Sequence, residues 1–351
     1  MNMAIKHPPR TLLQELSRGR LVRLRRRNFT LALLAILVIS LFALSLMIGR
    51  NFVPLPQIVQ ILFGAEVEGA NFAVERLRLP RALLSLGVGL SFGMAGIAFQ
   101  TMLRNPLASP DIIGINAGAS AAAVFAIVVL SLGGIQISIL AIGFSLIIAV
   151  IIYLLAFKDG VVGARIILVG IGVAAMLDSA IAYMLSQALV WDLQEAMRWL
   201  TGSVNGAKLS QSFPVYLSLL IFGTMLLSQS RHLEILRLGD DAASALGVRV
   251  ELTRIIVTIS AVGLIAFATA AAGPVAFVAF LSGPIAARLV GPNGSLLVPA
   301  ALVGASLVLG ADLIGQNAFT NRYPVGVITG ALGAPFLIFL TIRATRSGGK
   351  I

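Results

Sequence analysis

Long apolar runs recur along almost the whole chain, the first from residue 29 to 49 and the last from 324 to 342. A helix needs about 20 apolar residues to cross the hydrocarbon of a bilayer, and it can do so because its backbone hydrogen bonds are all internal. Ten segments fit: 29–49, 82–103, 112–132, 136–157, 164–186, 213–229, 255–272, 275–290, 295–311 and 324–342, separated by polar residues, Gly or Pro. Of the 351 residues, 58% are hydrophobic and 11% charged, whereas a soluble domain carries about a quarter charged residues. A water-soluble enzyme is excluded. The expected fold class is an all-α polytopic membrane protein of about ten transmembrane helices.

Charge orients these segments. Residues 1–28 hold Lys6, Arg10, Arg18, Arg20, Arg23, Arg25, Arg26 and Arg27 against a single Glu15. The apolar run that follows is too long for a cleaved signal peptide, whose core is about 7 to 15 residues. We read 1–28 as a basic cytoplasmic segment, 29–343 as one transmembrane domain and 344–351 as a cytoplasmic tail. With ten crossings both termini lie inside. Of 26 Lys and Arg, 19 then fall at cytoplasmic ends and 7 outside: Arg50, Arg76, Arg78, Arg81, Arg198, Lys208 and Arg322. That asymmetry is the positive-inside rule, and it accounts for the net charge of +12 without nucleic acid. The chain has no Cys, and its two His, His7 and His232, have no metal-ligand neighbours. No metal site is expected.

Several clusters carry more information. Arg76, Arg78 and Arg81 lie outside, where positive charge is depleted, so they call for an anionic partner; headgroup anchoring or a pair with Glu75 is the alternative. The run Gln100 to Asp111 contains Pro106 and Pro110 and reads as an ordered inner turn, with Asp111 placed to cap the next helix. No P-loop sequence occurs, so any ATP is handled by another chain, which needs a docking surface. The best candidate is 231–254. Within it Gly239 breaks one short helix, Asp240 or Asp241 caps the next, Ala242, Ala245 and Leu246 share a face, and Gly247 ends it. Asp178 is an ionisable residue within an apolar run; it either lines a path or is satisfied by Ser179, Tyr183 or a neighbouring helix. Residues 187–210, with Trp191 and Trp199, read as an amphipathic outer helix anchored at the interface. Gly273-Pro274 and Gly283-Pro284 bracket a short segment and read as helix starts.

Together, Arg78-Leu-Pro-Arg81, the Gly-rich span ending at Gln100, Arg104-Asn-Pro-Leu-Ala-Ser-Pro with Gly114, Gly118 and Ala119, and Pro324-Val-Gly-Val-Ile-Thr-Gly-Ala-Leu-Gly-Ala-Pro335 resemble the permease family of bacterial ABC importers for iron chelates, haem and cobalamin. The likeness covers nearly all of the chain beyond residue 50 and is strong toward ferric-enterobactin permease subunits. The resemblance implies a type II ABC importer permease in the bacterial inner membrane. Its partners would be a second permease subunit, identical or related, two cytoplasmic ATPases using ATP and Mg, and a periplasmic or lipid-anchored binding protein. The chain itself would bind no cofactor. The resemblance identifies Arg237, Leu238, Gly239, Asp240, Asp241, Ala242, Ala245, Leu246 and Gly247 as the coupling segment, and Arg78 and Arg81 as receivers of acidic residues of the binding protein. Arg322 stands in the last outer loop, where the cobalamin branch has its arginine earlier, near Gln316. Val162, Gly163 and Ala164 fall at the cytoplasmic gate, without the hydroxyls of the cobalamin branch; a tight turn at Gly160 fits the same residues.

The expected activity is ATP-driven import of a ferric siderophore of the catecholate kind. Haem or cobalamin import by the same family is the alternative. An ion-coupled secondary transporter would want paired intramembrane acids, and a membrane scaffold would need no coupling at all.

Overall fold

Helices occupy all ten expected segments. The computed structural model describes residues 10–346 apart from 107, 110–113, 157–164 and 292–293, and the regular structure of the described residues is entirely helical. The chain runs through α1 (Arg10–Met47), α2 (Leu55–Leu62), a π-helical turn (Phe72–Arg78) continuous with α3 (Leu79–Met102), α4 (Ile115–Val128), α5 (Ile135–Ala156) and α6 (Arg165–Ser186). After α7 (Val190–Thr201), α8 (Leu209–Ser218) passes through a second π-helical turn (Leu219–Gly223) into α9 (Thr224–Ser228). Then come α10 (Ser230–Leu236), α11 (Asp240–Ala245), α12 (Val250–Ala272), α13 (Val278–Val290), α14 (Leu297–Asn317) and α15 (Val325–Arg346). Among the described residues seven helices are long and apolar enough to cross a membrane, and Ile115–Val128, Val278–Val290 and Val325–Phe339 are shorter apolar helices.

The bundle is organised around α3, which is enclosed by α14, α12, α13 and α8. Its glycines explain why. A Cβ on Gly89 would lie 2.5 Å from the Cα of Ala305, and on Gly93 or Gly96 it would collide with the carbonyls of Ala300 or Ala279. From the other side, a Cβ on Gly304 would strike the carbonyl of Gly89. Backbones therefore meet directly, which maximises dispersion contact where no hydrophobic force separates helix from lipid. Phe92, Phe99 and Leu264 fill the remaining volume and are fully buried.

Two expectations on boundaries need correction. The second span begins at Phe72, not 82, so Arg76, Arg78 and Arg81 stand on a helix and not in a loop before one. Likewise α14 reaches Asn317, which brings Asp312 inside it. A third correction concerns proline. Pro274 precedes α13, which starts after Phe277 at φ 63°, but Pro284 lies within that helix. Pro284 has no N–H to donate to the carbonyl four residues back, that of Phe280. The side chain of Gln100 supplies the donor: its Nε2 lies 3.0 Å from the Phe280 oxygen, with Gly283 leaving room for the amide.

Three substitutions test this packing. Gly93→Leu should destabilise the detergent-solubilised protein by about 1–3 kcal/mol through overpacking, seen as a lower melting midpoint. Gly143→Ala, where a Cβ meets nothing within 4 Å, should leave the midpoint unchanged or slightly raised. Gln100→Leu should cost about 1–3 kcal/mol, because it strands the Phe280 carbonyl.

Candidate functional site

At one end of α3 the chain builds a small projecting helix. Gly239, at φ 108°, turns the chain after α10, and Asp240–Ala245 form α11. The helix stops at Gly247, φ 84°, where the Val248 N–H donates to Ala243 O at 3.0 Å and the Gly247 N–H to Ser244 O at 2.9 Å. This is a Schellman ending, with buried Val248 beside buried Ala243 completing it. Ala243 is buried in the same core cluster as Leu233 and Leu236 of α10, on which α11 packs, while Leu238 and Leu246 stay 67% and 61% exposed. Arg237, Asp241, Ala245 and Gly247 are also exposed, and Ala242 is half-buried. Of the expected docking face, Ala245 and Leu246 are thus fully open.

The capping expectation is corrected. Gly239 is the N-cap and no side chain caps α11. Asp240 turns instead toward two arginines: Arg254 of α12 donates through one nitrogen to both its oxygens at 2.8 and 3.1 Å, and Arg104 donates at 3.3 Å. Arg104 is the left-handed residue, φ 51°, of a second Schellman ending, that of α3, where Asn105 N–H reaches Gln100 O and Arg104 N–H reaches Thr101 O. An L-residue other than Gly in that conformation costs about 1–2 kcal/mol. Partly exposed ion pairs return only about 0.2–1 kcal/mol, so the triad fixes position more than it adds stability.

The opposite end of α3 carries the outer arginines, and the structure divides them. Arg76 and Arg322 are exposed. Arg78 is buried, and it donates to the carbonyls of Leu46 and Met47 at 2.8 and 2.9 Å and of Asn51 at 2.6 Å. It thereby satisfies the end of α1, and Gly49 is required beside it because a Cβ there would lie 2.6 Å from its guanidinium. Arg81 forms an ion pair with Asp312 of α14, Nε to Oδ2 3.0 Å, without hydrogen-bond alignment; Asp312 is 1% exposed. As placed, Arg78 and Arg81 are internal cations rather than free surface charges. Asp312 was not singled out from sequence.

Close approaches also explain the motif beginning at Pro324. Gly326 donates its N–H to Gly202 O at 3.1 Å, and Gly202 and Gly273, both at positive φ, abut at the ends of α7 and α12. Nearby, a cleft of about 520 Å³ is lined by Trp191, Glu195 and Arg198 of α7 and by Asn205 and Gln211. Trp191 is exposed, whereas Trp199 packs among helices and is no simple interfacial anchor.

Asp178 is exposed on α6, on the same side as Ile171, Ala175 and Ala182. Ser179 donates to Ala175 O, not to Asp178, so within this single chain the carboxylate is neither buried nor satisfied by Ser179. Gly172, on this face, has nothing within 4 Å of a Cβ position. The expected gate residues Val162, Gly163 and Ala164, and the expected cap Asp111, lie outside the described residues. Among the described residues no three His, Asp or Glu converge to hold a metal ion.

The model of the FecCD transport family matches residues 36–343. The chain is 37% identical over 316 residues to the achromobactin transport system permease protein of Dickeya dadantii, covering 89% of this chain and 90% of that one. It is 37% identical over 294 residues to a ferric enterobactin transport system permease protein of Escherichia coli, covering 83% and 88%. A solved structure described as a metal-chelate type ABC transporter in an inward-facing conformation superposes with a TM-score of 0.80 at 26% identity, covering 89% of this chain and 98% of its own.

The division among the arginines is testable by melting. Arg78→Ala should lower stability by roughly 2–4 kcal/mol, since it removes a charged donor from three carbonyls. Arg76→Ala should change it by less than about 0.5 kcal/mol.

Proposed function

We propose that this chain, which belongs to the FecCD transport family, is the permease subunit of an ABC importer that carries a ferric siderophore of the catecholate kind from periplasm to cytoplasm. In this reading it crosses the inner membrane ten times with both termini inside, seven crossings made by the long apolar helices and three by the short ones. The iron travels inside its chelate, as cargo. The chain pairs with a second permease subunit and is driven by two cytoplasmic ATPases that bind ATP and Mg.

The observation that carries the proposal is α11. A six-residue helix is held out from the bundle with Leu238 and Leu246 bare, on the end of α3 that the charge distribution assigns to the cytoplasm. A small apolar knob of this kind suits a groove on a partner. The coupling segment comprises Arg237, Leu238, Gly239, Asp240, Asp241, Ala242, Ala245, Leu246 and Gly247, of which Leu238 and Leu246 make the apolar contact with the ATPase while Asp240 faces Arg104 and Arg254 within the chain.

On the outer side Arg76 and Arg322 offer free charge to an acidic binding protein. Arg78 and Arg81 act there by shaping the surface. A carboxylate facing acyl chains is expensive, so the face of α6 that carries Asp178 is assigned to the second permease or to a wet path between the two. Val162, Gly163 and Ala164 form its inner gate. Asp312 speaks against an ion-coupled transporter: it is the buried carboxylate such a device would use, but Arg81 already matches its charge. The relatives are named for achromobactin and ferric enterobactin transport, and the choice of chelate is what the uptake comparison below decides.

The test is uptake by proteoliposomes holding the complete complex, comparing ferric catecholates, ferric hydroxamates, haem and cobalamin with and without ATP. ATP-dependent uptake of a ferric catecholate is expected. Leu246→Asp should reduce co-purifying ATPase by about tenfold, as for the loss of a central apolar anchor. Uphill uptake by the isolated chain on a proton or sodium gradient would refute the proposal.

A further inference from the structure

Asp240 stands where three pieces of chain meet: the first residue of α11, the turn that ends α3 and the start of α12. The helix it opens is weakly tethered otherwise. α11 sits between Gly239 and Gly247, both at positive φ, and Ala243 is its one buried residue. Two such glycines are swivels. Ala243 and Val248 seat one face of this short helix in the core, and its heading on that seat is set by the side chain that ties it to neighbouring helices. Among the described residues, the ion pairs of α11 all run through Asp240.

We propose that the Arg104–Asp240–Arg254 triad is the linkage that makes α11 move as one body with α3 and α12, with Asp240 as its central positioning residue. The inference rests on the permease reading above and names the side chains that carry displacement from the ATPases into the bundle. Arg104 supports it independently. It holds a left-handed position that glycine fills at least cost, so the chain accepts strain there and gains a guanidinium beside Asp240 and Gly239. The helices on the far side of the linkage are well chosen for transmission: α3 is enclosed by α14, α12, α13 and α8, and α12 packs on α3, α5 and α8. The two arms differ. Arg254 makes two contacts and is 15% exposed, while Arg104 makes one longer contact and is 45% exposed.

The experiment uses the complete complex in proteoliposomes, with cargo uptake and ATP hydrolysis measured in the same sample. Asp240→Asn should lower cargo moved per ATP hydrolysed by about tenfold while the ATPases still co-purify through Leu238 and Leu246, since a coupling free energy of this class spans about 5- to 150-fold. Arg254→Gln should behave similarly, and Arg104→Gln should cost only about two- to threefold, as expected of the more exposed pair. Asp240→Glu, and the exchanged pair Asp240→Arg with Arg254→Asp, should recover part of the ratio. If Asp240→Asn lowers the yield of complex, the ratio is read on what remains. An unchanged ratio in Asp240→Asn overturns the inference while leaving the permease reading intact; so does lost co-purification with a normal ratio in the residue. An unaltered complex without ATP-dependent uptake overturns both.

Discussion

A carbonyl without a donor inside a bilayer costs several kcal/mol, because no water reaches it. Three irregularities in this bundle are arranged around that constraint. Pro284 takes a donor away from Phe280, and Gln100 of α3 restores it. α1 ends with the carbonyls of Leu46 and Met47, and Arg78 bonds both together with that of Asn51 beyond the helix. The connection before α14 leaves Ser295 O facing Arg27, which bonds it at 2.8 Å from α1, a helix packed against α14. Each repair comes from a helix distant in sequence, so what begins as a local defect ends as a tie between helices. The close contacts along Gly89, Gly93 and Gly96 then bring α3, α13 and α14 near enough for such ties to reach.

Charge is divided by the same logic. Cations that meet carbonyls or carboxylates within the chain, such as Arg78 and Arg81, set the geometry of the outer surface. Arg76 and Arg322 are exposed and form no ion pair among the described residues. At the other end Asp240 differs from both: it is partly solvated, gathers two arginines, and opens the short helix flanked by exposed Leu238 and Leu246. Its energetic worth is small, and its positional worth is not.

The sequence was most legible where the bilayer imposes a single solution. Apolar runs had to be helices, and Gly239 and Gly247 had to be turns, because both inferences depend on local chemistry alone. It was less legible where a side chain's partner lies far along the chain. Arg78 looked like a free outer charge, since nothing near it in sequence shows the end of α1 waiting for a donor. Asp240 looked like a cap, since two arginines from other helices cannot be read from its neighbours. Asp312 was passed over because the apolar run stops one residue before it; the unpaired Arg81 in an otherwise apolar helix was the signal that a carboxylate had to exist. Pro284 was read as a helix start because the rescue by Gln100 is visible only in three dimensions.

The bare face of α6 sets a condition on how such a chain accumulates. Asp178 is exposed there in the single chain, and on the reading proposed above a copy that reached the membrane ahead of its companion would hold that carboxylate against acyl chains, the less stable arrangement. Such an orphan would be drawn toward pairing when a companion is present and toward degradation when none is. Cellular abundance would then follow the scarcer subunit.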